Sequence, residues 1–307
     1  MQTISGTPIS RFSFGTMQFG GNADDAGSAA MYDACRAAAI NFFDTAYAYT
    51  GGKSEEILGR LVSGERDEVF VATKAGNKKS ATPEVIHTEF AESRRRLGLE
   101  TVDLFYIHQW DPVTPLEVSL GCIAEYVRSG AVRYVGVSNF AAWQVMKARR
   151  VAADLGIEVD FLQPMYNLVK RQAEVEILPM AISEGVRVCP YSPLGGGLLT
   201  GKYGSGGEGR IRTDTLYAAR YAPEWMHLAA VELARIAAEA GVHPATLAVA
   251  WVARHAGVLG PIVSARSAEQ LAPSLAAMNF EMDEDLYARL SALTPAPPPA
   301  HDRLEEA

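Results

Sequence analysis

The sequence predicts an α/β chain folded as a (β/α)8 TIM barrel, and two observations carry this prediction. Seven apolar runs each end on a polar residue, and in chain order they read NFFDT, VFVATK, VDLFYIH, RYVGVSN, VDFLQP, VRVCPYS and LGPIVS. Most of the endings lie 25 to 34 residues apart, which is the length that a strand, a helix and two loops require. Residues beyond the strand ends of such a barrel meet at one mouth.

The segment before these runs has a different character. Residues 2–17 carry turn signals at Gly6 and Pro8, which predict a short N-terminal β-hairpin leading into a first strand over residues 12–17. We expect this hairpin to cover the closed end of the barrel, opposite the mouth.

Helices between the runs are signalled by their ends. Thr82 and Pro83 give an N-cap and a proline at the first helical position, and Gly98 gives a stop. Thr114 and Pro115 repeat this start before a second helix that runs toward Gly130. In the first helix an inward stripe leaves at least two of the arginines at 94–96 facing water. The stripe comprises Ile86, Phe90, Ser93 and Leu97.

The interval from Tyr191 to Ser264 breaks the repeat. Its glycine-rich part predicts a mobile loop over the mouth at residues 195–222, since glycine at this density favours neither helix nor strand. Two helices are predicted after it, at about 226–240 and 244–255. Residues 1–307 are expected to form a single domain, and the proline-rich tail at 295–307 is expected to be poorly ordered.

Composition narrows the class of protein. The 307 residues are 48% hydrophobic and 21% charged, with a formal net charge of −8 and no long basic run, so a nucleic-acid partner is not expected. Neither a membrane span nor a signal peptide is apparent, so we expect a cytoplasmic protein. Cys35, Cys122 and Cys189 stand far apart in apolar runs, which predicts reduced core thiols and no metal site.

The polar endings and the motifs around them resemble one family. D-T-A-x-x-Y at 44–49 followed by KSEEILG, a lysine closing VFVATK and a histidine closing VDLFYIH before WDP are similar to the aldo-keto reductases. So are GVSNF at 136, QPMYNL at 163 and YSPLGGGLLTGKY at 191, and the likeness runs from about residue 9 to residue 292. The resemblance is to the branch that includes potassium-channel β subunits and general bacterial reductases.

This resemblance implies a catalytic tetrad of Asp44, Tyr49, Lys74 and His108. A phenol with a pKa near 10 is a poor proton donor at neutral pH, so Tyr49 as a general acid needs a positive neighbour, which Lys74 would supply. Asp44 would hold Lys74, and His108 would orient the substrate carbonyl. Reduction of an aldehyde or ketone to an alcohol, or the reverse, would follow with hydride from a nicotinamide.

The resemblance also implies NADP (as NADPH) as cofactor, with NAD less favoured because the Arg266 guanidinium suits a 2′-phosphate. Ser138, Asn139 and Gln163 would bind the carboxamide, and Tyr191 would stack on the ring. Ser264 stands where the family often has glycine, and Ser274 where it often has asparagine. The full expected cofactor set is Gly15, Thr16, Met17, Asp44, Ser138, Asn139, Gln163, Tyr191, Ser192, Pro193, Leu194, Gly197, Lys202, Ser264, Arg266, Gln270 and Ser274.

Substrate contacts are expected around the mouth, and they suit a small carbonyl compound or sugar. They are Tyr49, His108, Trp110, Phe19 and Tyr166, with Met17 and the loop residues Tyr217, Arg220 and Tyr221. Two other functions stay open: a regulatory, redox-sensing NADPH-binding subunit with little turnover, and a lyase or isomerase that uses Lys74 as a Schiff base. The sequence indicates neither the substrate nor the oligomeric state.

Overall fold

A computed structural model of the chain describes residues 1–203, 206–303 and 305. It contains eight short strands that form one sheet, all paired in parallel, in the order β7-β6-β5-β4-β3-β2-β1-β8. Their bounds are β1 Ser13–Gly15, β2 Phe42–Asp44, β3 Phe70–Ala75, β4 Val102–Ile107, β5 Val132–Ser138, β6 Phe161–Gln163, β7 Arg187–Val188 and β8 Ile262–Val263. The sheet is consistent with the predicted (β/α)8 barrel.

Helices follow the strands along the chain. Their bounds are α1 Asp25–Ala37, α2 Lys53–Val62, α3 Pro83–Leu97, α4 Leu116–Arg128, α5 Ala142–Asp154, α6 Ile177–Glu184, α7 Arg210–Thr213, α8 Thr215–Arg220, α9 Glu224–Glu239, α10 Pro244–Arg254, α11 Ala268–Ala276 and α12 Glu284–Ser291. Backbone hydrogen bonds from Leu259 N to Val188 O (2.8 Å) and from Ile262 N to Pro190 O (2.9 Å) connect the two ends of the strand order.

The end signals of α3 are confirmed. Thr82 Oγ1 accepts from Val85 N, Pro83 begins the helix, and Gly98 ends it with φ 65°. The predicted inward stripe is buried. Helix α4 differs from its prediction, because it begins at Leu116 and neither Thr114 nor Pro115 provides a side-chain cap.

Two other expectations concern the chain before β1 and the segment after β7. The N-terminal hairpin is represented by a single antiparallel bridge between Gln2 and Pro8, so it stays a prediction. The segment 195–222 was expected to lack helices, but Gly195–Thr200 forms a 3-10 helix and α7 and α8 follow. Asp214 explains α8, since its carboxylate accepts from the backbone N–H groups of the first turn.

Two further expectations concern the ends of the chain and its sulfur atoms. The expected disorder of the tail at 295–307 stays a prediction, and residues 304, 306 and 307 of that tail lie outside the described residues. Cys35, Cys122 and Cys189 are free and buried, as predicted.

Across the described ranges, no cluster of three or more potential metal ligands occurs. Within the same ranges, no single helix is long and apolar enough to span a membrane, and α9 with α10 pass that test only as a pair bent by 100°.

Side chains on the strands alternate between two apolar clusters. One cluster lies within the sheet and contains Phe42, Phe70, Leu104 and Phe161. The residue after each of these belongs to the larger cluster, which includes the inward faces of the helices: Phe43, Val71, Phe105 and Leu162. Gly136 keeps this inner space open, because a Cβ there would lie 2.4 Å from the Tyr106 ring. The strand period of two therefore separates an inner core from an outer one.

Candidate active site

The same alternation brings the polar strand endings together. Asp44, Lys74 and Gln163 lie an even number of residues after the inner-cluster residues Phe42, Phe70 and Phe161. Each therefore projects to the inner side at the carboxyl end of its strand. The exposed fractions are 2% for Asp44, 0% for Lys74 and 3% for Gln163. A polar floor thus covers the apolar interior of the sheet.

Lys74 occupies the centre of this floor. Its Nζ donates to Asp44 Oδ2 at 2.6 Å, to the Thr45 carbonyl oxygen at 2.7 Å and to the Tyr49 hydroxyl at 3.3 Å. All three donors of a primary ammonium are therefore used. The predicted contact between Lys74 and Tyr49 is present, and it connects the floor to the loop after β2.

Asp44 is held from both of its oxygens. Oδ2 accepts from Lys74, and Oδ1 accepts from Nε2 of Gln163 at 2.9 Å. A buried carboxylate is stable only when its oxygens have such donors. Burial works to lower the pKa of the Lys74 ammonium, but Asp44 and Tyr49 outweigh it, so the pKa of Lys74 is raised and the ammonium stays charged.

Tyr49 is subject to two opposing effects. Burial raises the pKa of its phenol more than the charge of Lys74 and its hydrogen bond to the hydroxyl lower it, so the pKa stays above the ordinary value and the phenol keeps its proton. The ring of His108 lies edge-on to the Tyr49 ring, with 5.9 Å between centroids. A protonated phenol beside a fixed ammonium can donate a proton and then be stabilised as a phenolate.

His108 is held in its neutral form. Burial, assisted by the nearby Lys74 charge, lowers the pKa of its imidazole to about 3. Its Nδ1 is buried and makes no hydrogen bond within the described part of the chain. A neutral imidazole can hydrogen-bond a carbonyl oxygen without introducing another charge.

A chain of hydrogen bonds joins β5, β6 and the segment after β7. Ser138 Oγ donates to the Gln163 carbonyl oxygen at 3.0 Å, and Asn139 Nδ2 donates to the His108 carbonyl oxygen at 3.0 Å. The Tyr191 hydroxyl donates to Asn139 Oδ1 at 2.8 Å. Asn139 has a positive φ of 59°, a left-handed conformation that asparagine tolerates better than most residues.

An ion pair between Arg96 and the buried Glu55 holds the loop after β2 that carries Tyr49. Arg96 Nη1 donates to Glu55 Oε2 at 3.2 Å and to the Tyr47 carbonyl oxygen at 3.0 Å, and its guanidinium lies 4.5 Å from the centroid of the Tyr47 ring. The Arg96 side chain is 12% exposed, so the expectation that two of the three arginines face water is wrong. Of the three arginines, only Arg95 is exposed, and Arg94 is partly buried like Arg96.

A cavity of about 760 Å³ opens above the floor. The predicted residues that line it are Gly15, Met17, Asp44, Tyr49, His108, Ser138, Asn139, Gln163, Tyr191, Ser192, Pro193, Leu194, Gly197, Lys202, Tyr217, Arg220, Ser264, Arg266 and Gln270. The lining residues that sequence reasoning missed include Gln18, Gln109, Gly196, Thr200, Arg210, His243 and Glu269. An arginine directly after a glycine-rich stretch was the available signal for Arg210.

Two predicted substrate contacts lie elsewhere. Phe19 is fully buried and packs on Phe14, with 5.6 Å between ring centroids. Tyr166 is fully buried beside Trp251, and its hydroxyl donates to Glu174 Oε1 at 2.7 Å. Neither ring lines the cavity, because both are enclosed in the outer core, so the structure does not bring these two residues together with Tyr49 and His108.

Other predicted residues are not among the described residues that line the cavity. Trp110 is partly buried against Phe140 and Trp143. The fully buried Thr16, Tyr221 and Lys74 and the nearly buried Ser274 are likewise absent from the described lining residues. Thr16 and Lys74 act beneath the surface, since Thr16 Oγ1 donates to the Asp44 carbonyl oxygen at 3.2 Å.

Three cationic side chains that line the cavity lie close enough to affect one another. Lys202, Arg210 and Arg266 all line it, and the pKa of Lys202 is lowered by burial and by the charges of the two arginines. The Oγ of Ser264 in the same lining is buried without a hydrogen-bond partner in the described ranges. Clustered cations beside an unsatisfied hydroxyl form a site that favours an anion.

Comparison with known proteins gives a consistent family. A family model described as "Aldo/keto reductase family" matches residues 11–295. The "Uncharacterized oxidoreductase YrpG" of Bacillus subtilis is 30% identical over 95% of this chain and 94% of its own length. The "Probable voltage-gated potassium channel subunit beta" of rice, Oryza sativa subsp. japonica, is 32% identical over 90% and 89%. The "Aflatoxin B1 aldehyde reductase member 2" of Rattus norvegicus is 33% identical over 90% and 82%.

Proposed function

This chain belongs to the aldo/keto reductase family, and on that premise we propose that it is an NADPH-dependent oxidoreductase that reduces an aldehyde or ketone to an alcohol, or catalyses the reverse reaction. One observation carries the proposal: Lys74 Nζ lies 2.6 Å from Asp44 Oδ2 and 3.3 Å from the Tyr49 hydroxyl, beside a cavity that Tyr49 and His108 line. This arrangement supports Tyr49 as the proton donor.

The cavity residues fit a phosphorylated dinucleotide. The volume of the cavity falls within the range of about 300 to 1,000 Å³ that is usual for ligand and cofactor sites. Lys202, Arg210 and Arg266 would hold phosphates, and the buried Ser264 hydroxyl has an unused donor. Ser138, Asn139, Gln163 and Tyr191 would hold the nicotinamide end. The nicotinamide, when bound, would supply the hydride.

Proton transfer is the task of the protein. The Tyr49 hydroxyl would protonate the carbonyl oxygen, and Lys74 would stabilise the resulting phenolate. Asp44, fixed by Gln163, would keep Lys74 in place. Neutral His108 would hydrogen-bond the carbonyl oxygen and so orient it without competing for the proton of Tyr49.

NADPH is proposed over NADH because of charge. A 2′-phosphate adds negative charge that Arg266 would neutralise, and a guanidinium can form paired hydrogen bonds with phosphate. Glu269 also lines the cavity and opposes an anion to a smaller extent.

Two alternatives use the same residues. A Schiff-base lyase needs a neutral lysine, and the ion pair of Lys74 with Asp44 opposes that state. A redox-sensing, NADPH-binding subunit is favoured by the likeness to the rice protein named as a channel β subunit. The complete set of Asp44, Tyr49, Lys74 and His108 favours turnover instead.

The test follows NADPH absorbance at its nicotinamide band with a panel of aliphatic, aromatic and sugar aldehydes and ketones. Carbonyl-dependent oxidation of NADPH is the expected result. Tight NADPH binding without turnover of any carbonyl compound would instead indicate the regulatory subunit, and absence of NADPH binding would refute both proposals.

A further inference from the structure

Arg220 is a cavity arginine outside the catalytic machinery. It ends α8, lines the same cavity as Tyr49 and is only partly exposed. Its guanidinium lies over the ring of Tyr217, 5.0 Å from the centroid. Among the described residues, no carboxylate forms an ion pair with Arg220. An arginine held in a cavity by a ring and lacking an acidic partner can receive an external anion.

A second cation reinforces this position. Lys170 Nζ lies 5.7 Å from the centroid of the Tyr221 ring, next to Tyr217. The pKa of Lys170 is lowered by burial and by the charge of Arg220, so the two cations repel each other, with Lys170 next to the buried Tyr221 ring and outside the described cavity lining. Asp44, which lines the cavity, is already hydrogen-bonded to Lys74 and Gln163. An anion bound here would relieve the repulsion.

Arg220 lies at the reactive end of the cavity. Its charge acts on Tyr191 and counters the burial that raises the pKa of that phenol to about 12. The Tyr191 hydroxyl bonds Asn139, which in turn bonds the His108 carbonyl oxygen, so Arg220 is near the residues that surround the reacting carbonyl. Lys202 and Arg266 also line the cavity, and burial and the charge of Arg266 lower the pKa of Lys202; these two residues are assigned to the cofactor phosphates.

Tyr217 contacts both Arg210 and Arg220. Arg210 donates to its hydroxyl at 2.8 Å and lies 4.6 Å from its ring centroid, while Arg220 lies over the same ring. Burial and the charges of Arg266 and Arg210 lower the pKa of Lys202, whereas the charge of Arg220 acts on Tyr191, so Arg220 is available to a second anion.

We propose that the carbonyl substrate carries an anionic group, a carboxylate or a phosphate, which pairs with the Arg220 guanidinium. This inference rests on the proposed carbonyl reduction and specifies its substrate class. Arg220 would act on substrate affinity, since it contacts the far end of the molecule and not the reacting carbon.

The activity test uses pairs of substrates that differ by one charged group: benzaldehyde with 4-carboxybenzaldehyde, and glyceraldehyde with glyceraldehyde 3-phosphate. The wild type should favour the charged member of at least one pair by ~10-fold or more in kcat/KM, and the pair that does so distinguishes carboxylate from phosphate. Arg220→Gln should abolish this preference through KM, because kcat/KM should fall far more for the charged member of the pair than for its neutral partner. The matched control is Arg212→Gln, because Arg212 lies in α7 and is exposed.

A binding measurement keeps the two proposals separable. Isothermal titration of 4-(hydroxymethyl)benzoate and of glycerol 3-phosphate, with and without NADP, should give binding to the wild type and the control that Arg220→Gln loses. Such binding without any aldehyde reduction would refute the proposed function and retain the anion site. Equal kcat/KM within both pairs, or a charge preference unchanged in Arg220→Gln, would overturn the anion site even if neutral aldehydes are reduced.

Discussion

Gln163 Nε2 donates a hydrogen bond to Asp44 Oδ1 across 2.9 Å, although the two residues lie 119 positions apart. The other oxygen of the same carboxylate accepts from Lys74. One buried carboxylate therefore joins β2, β3 and β6, and the position of the lysine beside Tyr49 depends on a residue that the sequence assigned only to cofactor binding.

Loss of the Gln163 amide should lower stability in the absence of any cofactor. Gln163→Leu leaves a buried, charged acceptor unsatisfied, which costs about 1 to 3 kcal/mol of the free energy of unfolding. Urea denaturation of the apoprotein measures this change. Gln270→Leu is the control, since Gln270 is exposed and should change stability by less than about 0.5 kcal/mol. Equal stabilities of the two variants would mean that the hydrogen bond is unimportant.

Single and double variants of the Lys74–Asp44 ion pair should distinguish its effect on stability from its effect on catalysis. Lys74→Met strands a buried carboxylate and should destabilise the fold by about 3 to 5 kcal/mol. Adding Asp44→Asn should recover more than half of that loss, because the buried charge is gone. The rate of carbonyl reduction by the folded double variant should stay at least ~100-fold below that of the wild type. Restored stability together with restored turnover would show that the charge of Lys74 has no catalytic role.

Much of this fold could be predicted from local signals. The strand endings and the caps of α3 were predicted because each depends on a few neighbouring residues, such as Thr82 and Gly98. The helices at 210–220 are not predicted by glycine content, although Asp214 is a capping signal for the second of them. Local capping chemistry therefore remained informative even next to a glycine-rich segment.

Positions in loops were harder to predict than positions on strands. Parity along β2, β3 and β6 fixes the direction of Asp44, Lys74 and Gln163, so these could have been placed by counting from the apolar residues before them. Phe19 and Tyr166 lie past strand ends, where the path of the loop decides direction, and both turned into the outer core. The sequence has no periodic pattern in these loops that would indicate the direction of either side chain.

Arg266 should discriminate between the two nicotinamide cofactors. Arg266→Ala should weaken NADPH binding by about 1.5 to 3 kcal/mol, the range for hydrogen bonds to charged groups, and should leave NADH binding nearly unchanged. Cofactor titration by fluorescence measures both. Lys202→Met is the comparison, since a lysine at the phosphates common to both cofactors should weaken the two together. Equal losses for NADPH and NADH in Arg266→Ala would remove Arg266 from the 2′-phosphate.

The low pKa of His108 makes a prediction about pH. With a pKa of about 3, the imidazole becomes protonated only in strong acid, and roughly 1% is charged at pH 5. Lowering the pH from 8 to 5.5 should therefore produce no change in kcat/KM for a neutral aldehyde that depends on His108. An inflection near pH 6.5 in the wild type that disappears in His108→Gln would show that His108 titrates near its ordinary pKa.

The central claim is that the Tyr49 hydroxyl donates the proton, and Tyr49→Phe tests it most directly because the ring and its packing are kept. Steady-state reduction of an active aldehyde should fall at least ~100-fold, the low end for losing general acid catalysis, while NADPH affinity measured by fluorescence changes little. A Tyr49→Phe protein that binds NADPH and reduces the aldehyde at close to the wild-type rate would contradict the assignment of Tyr49 as the proton donor.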